Sequence, residues 1–194
     1  MRYSKEHKTE VRRRLLDGSA QHAKLHGFAA SGVDTLASAA GVTSGSLYKH
    51  FNGKSELFTA LIQAELERTA DLFANVQSGD VNAAEKVVAA YLSPQHMLHP
   101  EQGCPLPALT AEVARADTAV RAAFDEGLHA IHARLEPLTG SDAKAWALLS
   151  QCVGAVMLAR GALAPELQRV LLESAKAETA SLLGNPGLEK SKNR

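Results

Sequence analysis

Residues 27–58, GFAASGVDTLASAAGVTSGSLYKHFNGKSELF, decide the fold. Ser31 stands three residues before Asp34, a Ser-x-x-Asp box able to open a helix. Val33, Leu36, Ala37 and Ala40 then recur at helical spacing and give one short apolar face. Gly41 supplies the positive φ that ends this helix and turns the chain, and Thr43 stands where the next helix needs a cap. Leu47 and Phe51, four apart, point inward, while Ser44, Gly45, Ser46, Tyr48, Lys49 and His50 take the remaining faces. Two short helices joined by such a turn must cross steeply, which is a helix-turn-helix.

The outward set is small or hydrogen-bonding throughout. Small residues at a helix start permit close approach to base edges, and a Tyr hydroxyl, a Lys and a His reach phosphate oxygens on either side. Asn52, Gly53 and Lys54 add a cap and a positive charge at the amino end of a third helix, where backbone N–H groups already favour a phosphate. Leu47 and Phe51 read as packing. Tyr48, Lys49 and Lys54 read as phosphate contacts, whereas His50 is open between a contact and an ordinary surface histidine.

The run Ala40, Gly41, Val42, Gly45, Leu47, Tyr48, His50, Phe51 and Lys54 resembles the signature of the TetR family of bacterial transcriptional regulators. The resemblance covers about the first third of the chain. It implies that Thr43–Phe51 is a recognition helix, that Tyr48, His50 and Lys54 meet the DNA backbone, and that Ser44, Gly45, Ser46 and Lys49 face the bases; Ser31 and Thr43 complete the candidate DNA-binding set. Gly18 and Ala23 depart from the family, which more often carries Ala and a large residue there. A glycine inside a helix costs about 0.5–1 kcal/mol relative to alanine, so a looser first helix is expected.

Charge supports a basic head on an acidic body. The 194 residues carry 21 Lys+Arg and 21 Asp+Glu, so the net charge is zero. Residues 1–55, however, hold nine Lys+Arg against four Asp+Glu, leaving twelve against seventeen in the remainder. A local positive field is all that phosphate neutralisation requires. Helical spacing sends Arg12, Arg13 and Arg14 in three directions, and Lys5, Lys8 and Arg12 fall on one stripe.

The chain beyond residue 55 reads as helical: about 54–76, 82–91, 108–115, 117–138, 141–160 and 165–183, with a proline-rich break over 93–107. The expected organisation is all-α: a helix-turn-helix domain over 1–55, a helical ligand-binding and dimerisation domain over 56–184, and a disordered tail over 185–194. Trp146, Leu149, Val153, Val156, Met157 and Arg160 with Leu167, Val170, Leu171, Ser174 and Leu182 form the candidate homodimer face, two hairpins making a four-helix bundle. Such a dimer sets its recognition helices about 34–36 Å apart, or a multiple of it, to match a palindromic operator. Candidate contacts to a small-molecule inducer are Tyr91, Met97, Leu98, Cys104, Leu109, Val113, Phe124 and Leu128.

Other chemistry is thin. His96, His99, Cys104, His129 and His132 lack fixed metal-ligand spacing, so no metal and no cofactor is expected. Cys104 beside Gly103 and Pro105 reads first as a small buried residue and second as an oxidant or electrophile sensor; Cys152 reads as packing. There is no phosphate loop, zinc-protease pattern or nucleophile elbow, so an enzyme is not expected. No apolar run approaches the ~18–20 residues that cross a bilayer, which points to a cytoplasmic protein without a membrane partner. The rival reading is a helical small-molecule or metal-binding protein, or an enzyme, carrying a vestigial head.

Overall fold

The structure is a computed structural model that describes residues 5–77 and 80–183, with the side chain of Lys5 excluded. The expected tail over 185–194, Ser78 and Gly79 of the expected break, and the Lys5 side chain of the basic stripe lie outside the described residues. Among the described residues every regular element is helical: α1 (Lys5–His26), α2 (Val33–Ala39), α3 (Ser44–Leu47), α4 (Lys54–Asp71), α5 (Val81–Tyr91), α6 (Pro94–Leu98), a 3-10 turn (Pro100–Gln102), α7 (Leu106–Val113), α8 (Thr118–Thr139), α9 (Asp142–Gly161) and α10 (Pro165–Leu182). They group into two compact units, the residues up to Leu66 with Pro100–Gly127, and Glu67–His99 with the residues from Leu128 on. The sequence-based boundary at 55/56 falls instead inside α4.

In the first unit α1 buries Val11, Leu15, Ser19, Ala20 and Ala23, a stripe at helical spacing, and α4 buries Leu57, Phe58, Leu61, Ile62 and Leu66. Gly18 is the point of closest approach of α1 to α2: a Cβ there would lie 2.6 Å from Ala40 Cα and 2.8 Å from the Ala39 carbonyl oxygen. The glycine is therefore a packing requirement rather than a weak spot in α1. Gly127 plays the same part between α8 and α4, where a Cβ would meet the Leu66 Cβ at 2.6 Å.

One ion pair fastens this unit from inside. Lys24 Nζ of α1 donates to Glu65 Oε2 of α4 at 2.6 Å and to the Gly103 carbonyl at 2.8 Å. The two side chains are only 3% and 4% exposed.

In the second unit α9 packs along α10 and buries Ala145, Leu148, Cys152, Ala155, Val156 and Ala159 against its own core. Leu172, Ala175 and Thr179 are the matching buried positions of α10. Pro165 opens α10 as a first-turn proline, and Gly140 at φ 68 closes α8, its N–H donating to the Glu136 carbonyl at 2.8 Å.

Three boundaries differ from expectation. The chain leaves α-helix at Asp71 rather than near Val76, because Leu72 and Phe73 turn to i→i−3 bonds on Thr69 and Ala70. The proline-rich break contains α6, for which Ser93 is a true cap: its Oγ accepts from His96 N–H at 3.1 Å and Pro94 sits in the first turn. Finally, α7 starts two residues earlier than expected, at Leu106.

Candidate nucleic-acid interface

The helix-turn-helix closes as its residues dictate. The Gly41 N–H donates to the Ser38 carbonyl at 2.9 Å and the Val42 N–H to the Ala37 carbonyl at 3.0 Å, a Schellman closure with Gly41 at φ 66. Thr43 then caps α3, its Oγ1 accepting from the Ser46 N–H at 3.2 Å. The α-helix itself is only Ser44–Leu47. Tighter bonds, Lys49 N–H to the Ser46 carbonyl and His50 N–H to the Leu47 carbonyl, carry the chain on to Phe51, so the expected helix over 43–51 is a short helix followed by turns. Leu47 and Phe51 are buried at 0% and 1% exposure, as their spacing requires.

The three consecutive arginines have three separate positions. Arg12 lies over the Phe51 ring with its Cζ 5.1 Å from the centroid. Arg13 pairs with Glu10 at 2.8 Å and Asp17 at 3.1 Å on the surface. Arg14 reaches the turn, donating from Nη2 to the carbonyls of Ala40 at 3.2 Å and Gly41 at 3.1 Å. No pattern in the sequence signals that Arg14 locks the turn, because its acceptors are backbone atoms 26 and 27 residues away.

Tyr48 is 56% exposed, Lys49 and Gly45 are exposed, and Ser44, Ser46 and His50 are half-buried. The His50 imidazole is held below its ordinary pKa of 6.5, first by partial burial and then by the positive charges of Arg12, Lys8, His7 and Lys49. Arg12 of α1 reaches this segment directly, over the Phe51 ring, and His7 and Lys8 of the same helix are close enough to act on His50, so α1 adds positive charge to the residues that follow α3. Lys8 and Arg12 were legible as a stripe; their meeting with Lys49 and His50 was not.

Two expected members make contacts within the chain, and only for Ser31 do these remove it from the surface. Ser31 is 5% exposed, and its hydroxyl donates to the Gly27 carbonyl at 2.6 Å. It forms no cap: α2 starts from Gly32 without a side-chain bond, and Asp34 accepts instead from the Ser44 hydroxyl. Ser31 is thus corrected from the candidate surface to the interior, where its hydroxyl closes the loop after α1. Lys54, half-buried, donates from Nζ to the Ala29 carbonyl at 2.9 Å and lies 5.0 Å from the Phe28 ring centroid. Glu56 completes the start of α4 by accepting from the Asn52 N–H at 2.8 Å and Nδ2 at 2.7 Å.

The candidate inducer contacts divide between the units. Cys104, Leu109 and Val113, all buried, and half-buried Phe124 belong to the first; buried Tyr91 and Met97 and half-buried Leu128 belong to the second. Leu98 is corrected from a cavity wall to the surface: it is 63% exposed, since α6 turns it outward. A groove of about 230 Å³ between α5 and α10 is lined by Glu85, Val88, Ala89, Lys176, Thr179, Ala180 and Leu183.

The outer faces of α9 and α10 and the link between them carry exposed apolar side chains: Met157 and Leu158 on α9, Leu163 in the link, and Leu167 and Val170 on α10. Two residues of the expected dimer face are placed elsewhere. Val156 is fully buried in its own protomer, and Arg160 donates to the carbonyls of Met97 at 3.1 Å and His96 at 2.8 Å. Trp146 stacks on His132 with centroids 4.3 Å apart, and His132 Nε2 is 3.2 Å from the Asp142 carboxylate. Cys104 and Cys152 are buried and form no disulfide. Among the described residues no three His, Cys, Asp or Glu side chains are arranged to hold a metal, and no helix is long and apolar enough to cross a membrane.

Comparison with known proteins bears on the same segment. The family description "Bacterial regulatory proteins, tetR family" matches residues 15–61. A 92-residue stretch is 35% identical to the HTH-type transcriptional regulator SrpR of Pseudomonas putida, covering 45% of this chain and 40% of that protein. A match of equal identity and length covers 45% of this chain and 64% of the uncharacterized HTH-type transcriptional regulator TtgW, also of Pseudomonas putida. The chain therefore spans less than two thirds of either relative. The reduced form of E. coli NemR shares the fold with a TM-score of 0.69 at 25% identity, over 92% of this chain and 100% of that one.

Proposed function

We propose that this chain is a member of the TetR family of bacterial regulatory proteins, as the match over residues 15–61 supports, and that it is a sequence-specific DNA-binding transcriptional regulator that represses from a palindromic operator and is released by a small-molecule inducer. The observation that carries the reading is the basic face on which exposed Tyr48 and Lys49 stand beside His50, Lys8 and Arg12. A hydroxyl and several cations around a short capped helix are what phosphate positioning on both sides of a major groove demands. Ser44, Gly45, Ser46 and Lys49 read base edges; Tyr48, His50 and Lys54 hold the backbone.

Pairing of two heads comes from the exposed apolar side chains of α9 and α10. A helix such as α9, with one apolar face buried at home and Met157 and Leu158 on another, gains from a second partner, and a copy of itself supplies it symmetrically. The inducer acts by binding the DNA-incompetent conformation more tightly than the competent one. The protein acts in the cytoplasm, carries no catalytic activity and needs no cofactor.

Selection of a random duplex pool with purified protein tests the reading. Enrichment of an inverted repeat is expected. A pool that stays random after repeated rounds at low salt would overturn it. Saturating inducer that left operator affinity unchanged would remove the inducible part alone.

A further inference from the structure

The loop after α1 is gripped from two sides. Gly27, at φ 82, turns two successive peptide N–H groups toward α7, and the Glu112 carboxylate accepts both, from Phe28 at 3.0 Å and from Ala29 at 2.5 Å. Such a pair of N–H groups is a ready-made anion nest, here filled by a side chain of the protein itself. The other end of the same residue, the Ala29 carbonyl, accepts from Lys54 Nζ at 2.9 Å. Phe28, between them, stacks on Phe58 of α4 with centroids 4.1 Å apart and lies under the Lys54 ammonium.

From this chain of contacts we infer that Glu112 is a positioning residue for DNA binding, acting on Lys54 through Ala29, whose N–H side it holds and whose carbonyl side Lys54 holds. The inference rests on the DNA-binding reading above. A lysine side chain loses most of its rotamer freedom when it grips a phosphate. Here the ammonium is already anchored at the amino end of α4, with one N–H on Ala29 and two more to give. Its anchor is only as fixed as the Ala29 carbonyl, and what holds Ala29 on its other side is the Glu112 carboxylate, which accepts from the N–H of the preceding peptide. Neutral glutamine has one acceptor oxygen where the carboxylate has two, and its amide N–H groups face the peptide donors. Glu112→Gln therefore frees the loop, and Lys54 with it.

The test uses the full-length protein and a fluorescein-labelled duplex carrying the sequence that the wild-type protein enriches, with affinity read by anisotropy across a salt series. Active concentration is set by stoichiometric titration, so a loss of folded protein cannot imitate the result. Glu112→Gln is expected to weaken binding about tenfold, as loss of a charged hydrogen bond does, and to flatten the plot of log K against log salt by about 0.9 for each head engaged. Glu112→Asp, which keeps the charge, should recover part of both. In a Lys54→Met background Glu112→Gln should change neither. An unaltered slope in Glu112→Gln, or a full additional loss in the Lys54→Met background, would overturn the inference while leaving the DNA-binding reading in place. A wild-type protein whose binding ignored salt would overturn both.

Discussion

Replacing Lys24 by methionine strips a carboxylate of its cation in a place water hardly reaches. Lys24 Nζ and Glu65 Oε2 are 2.6 Å apart with side chains 3% and 4% exposed, and the same ammonium serves the Gly103 carbonyl. Breaking a buried pair from one side costs about 3–5 kcal/mol, because the remaining charge keeps its desolvation penalty and loses its attraction. That is a large part of the ~5–15 kcal/mol that separates folded from unfolded chains. For a chain of this length each kcal/mol moves the melting temperature by about 2–4 °C, so Lys24→Met should melt about 6–20 °C lower. Removing both charges is a different perturbation, since an apolar pair of similar volume carries no desolvation cost. Lys24→Met with Glu65→Leu should therefore be more stable than Lys24→Met alone by at least about 1 kcal/mol. Urea titration followed by circular dichroism reads both. A Lys24→Met variant within about 1 kcal/mol of wild type would refute the reasoning, by showing that the pair is solvated and incidental.

Further expectations follow from single positions. Gly18→Ala should lower the melting temperature even though helix propensity alone favours alanine by about 0.5–1 kcal/mol, because its Cβ would stand 2.6 Å from the Ala40 Cα; a rise would refute the close approach. Gly45→Ala should leave melting unchanged or raised, since its Cβ would find only Thr43 Oγ1 at 3.9 Å, yet weaken operator binding by blocking approach to the bases. The His50 imidazole should titrate below 6.5 in the free protein, as followed by proton NMR. The native state thus takes up this proton less readily than the unfolded chain, so the His50 contribution to stability is intact above pH 6.5 and is lost as pH falls from there through the depressed native value. Stability of a His50→Gln variant should fall less over that window. Leu167→Glu on the exposed face of α10 should yield monomers by light scattering; an unchanged mass would remove that face from the dimer.

What the sequence made legible is what is decided locally. Thr43, Asp117 and Pro165 open their helices, and Gly41 and Gly140 close theirs, because each acts on backbone groups within a few residues. The apolar pair Leu47 and Phe51 was readable for the same reason. Ser31 misled because the Ser-x-x-Asp pattern competes with a second local option, the carbonyl four residues back, and the loop geometry favours that one. The α6 helix was hidden by the prolines of the segment around it, although Ser93-Pro94 is a good helix start. Contacts between distant segments left no periodic trace: Arg14 on the turn, Glu112 on a loop 83 and 84 residues away, Gly18 against Ala40, and Lys24 against Glu65. Val156 and Arg160 share a helix with outward-facing Met157, yet periodicity alone does not say which stripe of an apolar helix faces its own protomer.

The central claim is that the basic face around Tyr48 and Lys49 grips duplex DNA in a sequence-dependent way. Its most direct test is the affinity of the purified protein for its selected inverted repeat and for a scrambled duplex of equal length, each measured across a salt series with wild type and Tyr48→Ala. The account expects a clear preference for the repeat, a steep fall of affinity with salt, and a marked loss in Tyr48→Ala. Equal, shallow salt dependence on both duplexes, indifferent to Tyr48, would contradict it.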